Sequence, residues 1–186
     1  MKFSVPVYTV AAVVLASLPS QAQVISGFQG PYAPANWTFT SPGLGIVNTA
    51  AAPASITLIG TDGPPYYSDT NTNYVTTAVG AGSVQFQWNY SSVDIGSDYD
   101  RFYYLLNGVQ TFLAQNSSQG SGTTVFSVLA GDTFGFRVYS EDSGWGPGVA
   151  VIYNFSAPVP GPLPLFGAAA AYSFSRRLRQ RTRLGS

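Results

Sequence analysis

The sharpest alternation of apolar and polar positions in the chain is at residues 83–90, SVQFQWNY. Val84, Phe86, Trp88 and Tyr90 fall on one side, and Gln85, Gln87 and Asn89 on the other. A period of two is the mark of a β-strand with one buried face. A slip of one residue would turn all four apolar groups toward water, so the register is tightly specified. Residues 37–40, 55–59, 73–79, 101–106, 109–113, 123–129, 133–139 and 148–155 repeat the same grammar: aromatic and β-branched side chains bounded by Gly, Asn, Asp, Ser and Pro. In 133–139, Phe134, Phe136 and Val138 share a face that excludes Arg137. In 148–155 the spacing assigns Val149, Val151, Tyr153 and Phe155 to one side. Residues 27–34 read as a lead-in loop and 43–53 as irregular chain. No segment holds a helical period over several turns.

The punctuation fits this reading. Asn107-Gly108 lies between two strand-like runs, and both residues accept the positive φ of a type I′ turn, which predicts a tight hairpin. Thr61-Asp62-Gly63-Pro64-Pro65, Gly80-Ala81-Gly82 and Ala130-Gly131-Asp132 are further turns, with Asp132 serving the last of them. About eight strands at this spacing predict an all-β fold, an antiparallel two-sheet β-sandwich of jelly-roll type, over residues 23–157.

The two ends follow other rules. Lys2, an apolar stretch over 5–18 and the small-x-small triplet Ser20-Gln21-Ala22 read as a signal helix, residues 1–22, cut after Ala22. Residues 158–164 carry Pro158, Pro160, Pro162 and Pro164 and predict an extended polyproline spacer. An apolar run over 163–174 follows, then Arg176, Arg177, Arg179, Arg181 and Arg183. Hydrocarbon favours the run and the arginines stay on the cytoplasmic side, so residues 158–186 predict a C-terminal transmembrane helix with the body outside. Counted over 159–175 the span is at the short end for a bilayer, which suits temporary retention.

Charge separates the ends from the body. All eight acidic residues lie between 62 and 142, where Arg101 and Arg137 are the only cations, leaving six net negative charges. A body of that sign cannot neutralise a phosphate backbone, so nucleic acid is excluded as a partner. The chain has no Cys and no His. Their absence removes thiol nucleophiles, the Ser-His-Asp arrangement and ordinary zinc sites together, and no other pattern identifies an enzyme.

The tail resembles the PEP-CTERM sorting signal of exported bacterial proteins, and its cyanobacterial variant in particular. The stretches that carry the resemblance are Val159-Pro160-Gly161-Pro162-Leu163-Pro164-Leu165 and Ser175-Arg176-Arg177-Leu178-Arg179. Gly161 stands where the family has its name-giving glutamate. The resemblance implies passage through the inner membrane and cleavage near the Pro-x-Pro motif by an exosortase, a membrane protease. The destination it implies is the cell surface or the extracellular matrix. The body more loosely resembles jelly-roll, CUB and MAM domains at Trp88-Asn89-Tyr90-Ser91-Ser92, Asp98-Tyr99-Asp100-Arg101-Phe102 and Ala130-Gly131-Asp132-Thr133-Phe134-Gly135-Phe136. Those families mostly mediate adhesion and recognition.

Two clusters are candidates for chemistry in the body. Asp94, Asp98 and Asp100 crowd one loop, and Glu141 and Asp142 lie forty residues on. Carboxylates so close repel unless solvated, salt-bridged to Arg101 or bridged by an oxygen-seeking cation such as calcium. Calcium-binding CUB domains use a similar acidic loop beside a tyrosine. Whether the two acidic loops meet depends on strand order. The second cluster is aromatic. Of twelve Tyr, twelve Phe and three Trp, most must fill the core, but Trp145 sits in the loop Ser143-Gly144-Trp145-Gly146-Pro147-Gly148 and either binds something or folds back over the core. Tyr66-Tyr67 after Pro64-Pro65 is a weaker candidate of the same kind. Stacking aromatics with amide side chains point to polysaccharide as the ligand. A glycosidase acid pair is the remaining alternative, but a body of short strands leaves little room for the deep cleft it needs.

Overall fold

The alternating stretches become strands in the computed structural model, which describes residues 23–161 apart from 65, 95–97 and 117. The strands are β1 (Gln23–Ser26), β2 (Thr38–Thr40), β3 (Ile46–Asn48), β4 (Ser55–Ile59), β5 (Thr70–Thr77), β6 (Gly82–Ser92), β7 (Asp100–Leu106), β8 (Val109–Gln115), β9 (Gly120–Val128), β10 (Thr133–Ser140) and β11 (Gly148–Val159). One sheet runs β3-β4-β11-β6-β9, with β1 continuing along β11 where β4 ends, and the other runs β2-β5-β10-β7-β8. The strand pairs are antiparallel. The fold is therefore the two-sheet sandwich the pattern predicts.

The inward faces are the ones the alternation assigns. Val84, Phe86, Trp88 and Tyr90 of β6 are buried, and so are Phe134, Phe136 and Val138 of β10. Phe86 meets Phe136 edge to face at 5.0 Å, and Tyr90 stacks on Phe102 of β7 at 6.0 Å, so the two sheets close on an aromatic core. At the hairpin, Asn107 and Gly108 have φ of 50° and 80°, as a type I′ turn requires. Asp132 accepts from the Leu129 amide at 2.7 Å and from Asn107 at 3.0 Å, which makes it a turn residue. Gly122 lies opposite Trp88 on β9, where a Cβ would be 2.6 Å from the indole ring. The indole itself donates to Thr124 at 3.1 Å.

Four expectations need correction. First, β11 does not keep Val149, Val151, Tyr153 and Phe155 on one side. A bulge shifts its register against β6 between Tyr153 and Ser156, with Asn154 in the left-handed region at φ 48°. One extra residue inverts the phase. Ala150 and Ile152 point inward before the bulge, Phe155 and Ala157 after it. Second, β11 continues through Pro158 to Val159, where it pairs with β1, so the first two residues read as spacer belong to the sheet. Third, the lead-in loop is a plug. Two single-turn 3-10 helices (Gly30–Tyr32 and Pro34–Asn36) carry the chain across one end of the sandwich and bury Phe28, Tyr32 and Trp37. Trp37 stacks on Tyr74 at 4.9 Å and on Phe136 at 5.6 Å, while the Tyr32 hydroxyl donates to the Pro158 carbonyl at 2.6 Å. Fourth, β3 occupies part of the stretch read as irregular.

The stretch read as a signal helix, residues 1–22, and the tail from Pro162 onward lie outside the described residues. That includes Leu163, Pro164, the apolar run and Arg176, Arg177, Arg179, Arg181 and Arg183.

Candidate functional site

The far end of the sandwich, away from the Trp37 plug, is built from the β4–β5 and β10–β11 connections. β5 and β10 are neighbours, which brings these two loops together. They are laced by main-chain bonds: Tyr67 N–H to the Asp142 carbonyl at 2.6 Å and Gly63 N–H to the Ser143 carbonyl at 2.8 Å. The buried Ser143 hydroxyl donates to the Ser68 carbonyl at 2.7 Å and lies 3.1 Å from Thr70 Oγ1. Gly146 N–H donates to Asp62 Oδ1 at 3.3 Å, and Gly144 N–H to Asp142 Oδ1 at 3.1 Å.

This lacing forces unusual backbone. Tyr67, Ser143 and Trp145 have φ of 59°, 52° and 66°. Bulky residues in the left-handed region are uncommon and cost on the order of 1 kcal/mol or more each. Gly146, at φ 119°, lies so close to Val93 that a Cβ would be 2.4 Å from its methyl group. The strained loop holds its aromatic side chain out in solvent: Trp145 is 69% exposed, with Tyr66 and Tyr67 at 58% and 82%. Trp145 does not fold back over the core. Asp62, Tyr66, Tyr67, Asp142, Gly144 and Trp145 line a cleft of about 430 Å³, a size that suits a small ligand. Aromatic faces beside two carboxylates offer stacking together with hydroxyl acceptors. The sequence singled out Trp145 and the tyrosine pair but not Asp62 and Asp142 as their neighbours, because only the pairing of β5 with β10 joins them.

The same pairing logic settles the acidic loops. β7 begins where β10 ends, Asp100 opposite Ser140, and Glu141 N–H donates to the Tyr99 carbonyl, so the two loops do meet. They do not gather into a metal cage: among the described residues no group of three acidic side chains is placed to hold an ion. Asp98 accepts from Gln115, Glu141 pairs with Arg101 at 2.9 Å, and Asp142 caps Gly144. Ser92 donates to Asp100 Oδ2 at 2.9 Å, and the Asp94 amide donates to the Ser92 hydroxyl at 3.2 Å. Asp98, Glu141 and Asp142 each accept at least one bond from a protein donor, and Asp100 does so through Oδ2 alone.

Asp100 is fully buried. Its Oδ1, and the Ser140 hydroxyl beside it, make no well-formed hydrogen bond. Burial pushes its pKa up to about 6, the nearby Ser140 and Ser92 hydroxyls pull it down, and Asp94 and Asp142 push it further up. Tyr90, whose hydroxyl shares this polar pocket, is raised too, mainly by burial and then by Asp100 and Asp94. Gly148 leaves them room, since a Cβ there would be 2.5 Å from the Tyr90 hydroxyl and 3.1 Å from Asp100 Cβ.

At the start of the stretch read as a sorting motif, Val159 is paired with Gln23 in the sheet, and Pro160 and Gly161 follow it. The turn at Gly80 packs on this point, with room for no Cβ: one would be 2.7 Å from the Val159 carbonyl carbon.

No family model and no curated protein matches the chain. Among solved structures it is similar to a family 29 carbohydrate-binding module in complex with mannohexaose, at 12% identity and a TM-score of 0.40 over 76% of this chain and 94% of that one. A family 29 module in complex with cellulohexaose gives 12% and 0.39, over 77% and 98%. A family 35 carbohydrate-binding module from Clostridium thermocellum gives 10% and 0.36, over 72% and 99%.

Proposed function

We propose that this protein is a non-enzymatic, exported carbohydrate-binding sandwich of the cell surface or extracellular polysaccharide matrix. The observation that carries the reading is the cleft of Tyr66, Tyr67 and Trp145. Three aromatic rings stand in solvent, two of them, Tyr67 and Trp145, on backbone that is costly to hold, around a hollow flanked by Asp62 and Asp142. Strain kept at a surface is the physical trace of a ligand site. Sugar rings would stack on the aromatics, and hydroxyls would donate to the carboxylates.

The signal segment and the PEP-CTERM-like tail supply the route: export, retention at the inner membrane through the apolar run, then release by an exosortase. With Val159 committed to the sheet opposite Gln23, a cut that frees an intact body falls after it, within the Pro160 to Pro164 motif or beyond. Mass spectrometry of the protein recovered from its own cells tests the route. A mature chain ending shortly after Val159 supports it, and one that still carries Arg183 overturns it.

The binding test is a glycan array read with the native chain and with Trp145→Ala. Loss of a central stacking ring costs about 2 kcal/mol, roughly a thirtyfold drop in affinity. Equal binding by both proteins would remove the cleft from the function.

A further inference from the structure

The only two cations between residues 3 and 175 are Arg101 and Arg137, and the fold places them side by side. Both point outward from the β2-β5-β10-β7-β8 sheet. Arg137 lies opposite Asn73 of β5 and Tyr103 of β7; in the next row Tyr139 lies opposite Asn71 and Arg101. Both arginines, Asn71, Tyr103, Tyr139 and Gln110 of β8 line a polar hollow of about 320 Å³.

The two arginines are held differently. Arg101 is neutralised by Glu141 at 2.9 Å, and its guanidinium lies 5.3 Å from the centre of the Tyr139 ring. Tyr139 in turn is pushed up to about 12, by burial first and then by Asp69 beside it. Arg137 has no carboxylate partner among the described residues. Its Nε donates to Asn73 Oδ1 at 2.7 Å and its Nη1 to Gln110 Oε1 at 2.8 Å, both neutral acceptors. Its charge is thus oriented without being cancelled, and burial draws its pKa down somewhat. A guanidinium fixed by amides presents a planar fork suited to a carboxylate. Asn71 lines the same hollow beside it.

We infer that the outer face around Arg137, Asn71, Tyr103 and Gln110 binds the carboxylate of an acidic saccharide, a uronic acid unit. Arg137 takes the carboxylate, and the amide and phenol groups around it take ring hydroxyls. The six net negative charges of the body exclude long-range capture of a polyanion, so the attraction is local and salt-sensitive. The site does not depend on the Trp145 cleft.

Calorimetric titration of the full chain with polygalacturonate at low ionic strength tests it, with a neutral glucan and sodium sulfate as controls. Saturable binding of polygalacturonate is expected, at least tenfold weaker in Arg137→Gln and partly kept in Arg137→Lys, consistent with loss of a charge-assisted bond. Two results would overturn the assignment: equal affinity in Arg137→Gln, or sulfate bound as tightly as polygalacturonate. Should Arg137→Gln fail to fold, the ring resonances of Tyr103 and Tyr139 in the native chain serve instead. They should move on adding polygalacturonate, and immobility would equally overturn the proposal.

Discussion

The two ends of the sandwich spend similar residues in opposite ways. At one end a Gly- and Pro-rich segment delivers Phe28, Tyr32 and Trp37 into the core. At the other, equally Gly- and Pro-rich loops hold Tyr66, Tyr67 and Trp145 out of it. Trp37 is 8% exposed and Trp145 69%. The first indole donates to the Tyr32 carbonyl at 3.0 Å and is ringed by Phe28, Tyr74, Phe134, Phe136 and Phe155. The second stands on a left-handed residue whose loop is tied down by its neighbours' hydrogen bonds. Burial holds one end together by removing apolar area from water. At the other, main-chain lacing offsets local strain and leaves aromatic area free for a partner.

The largest expected effect lies at the plugged end. Trp37→Ala should cost about 3–5 kcal/mol, as removal of a buried tryptophan does, read as a large fall in the denaturant midpoint. A loss below 1 kcal/mol would mean that the plug is not part of the cooperative fold.

Next comes the buried carboxyl behind the open end. The folded state binds the Asp100 proton more tightly than the unfolded chain, because its pKa is about 6 instead of the ordinary 3.8. The contribution of Asp100 to stability is therefore greatest below pH 4, falls as pH rises through 6, and is flat above that, by an amount on the order of 2–3 kcal/mol. Asp100→Asn, which cannot ionise, should flatten this window and leave the protein more stable than native at pH 7. Thermal melts from pH 4 to 8 read both effects, and a variant less stable at pH 7 would contradict the argument.

The smallest effect belongs to Trp145→Gly. Relief of the left-handed backbone and the added freedom of glycine in the unfolded chain oppose each other, so the midpoint should stay within about 0.5 kcal/mol of native while glycan binding is lost. A large destabilisation would make Trp145 a structural residue like Trp37 and erase the contrast.

Much of the sheet was legible because period-two patterning acts locally. Val84 to Tyr90 and Phe134 to Val138 face inward as their spacing requires, and Asn107-Gly108 turns as its allowed φ values dictate. The misreading of Phe155 has an equally local cause. Asn154 admits positive φ, but nothing in the neighbouring spacing marks the inserted residue that inverts the strand. The lead-in segment was misread because burial there comes from closing one end of the sandwich, a contact between residues more than a hundred positions apart, as in Tyr32 with Pro158.

The amino-acid sequence by itself determined the all-β character, most strand faces, the tight hairpin, the lack of histidine and cysteine chemistry and the acidic body between differently built ends. Each of these depends on composition or on neighbours within a few residues. Only the tertiary structure decided which tryptophan fills the core and which faces water. It also joined Asp62 and Asp142 to the aromatic loops, tied Asp98, Asp100, Glu141 and Asp142 to protein donors, and set Arg137 beside Arg101 with its charge uncancelled. Those outcomes depend on strand order, which is set by how two whole faces pack and not by any single stretch of chain.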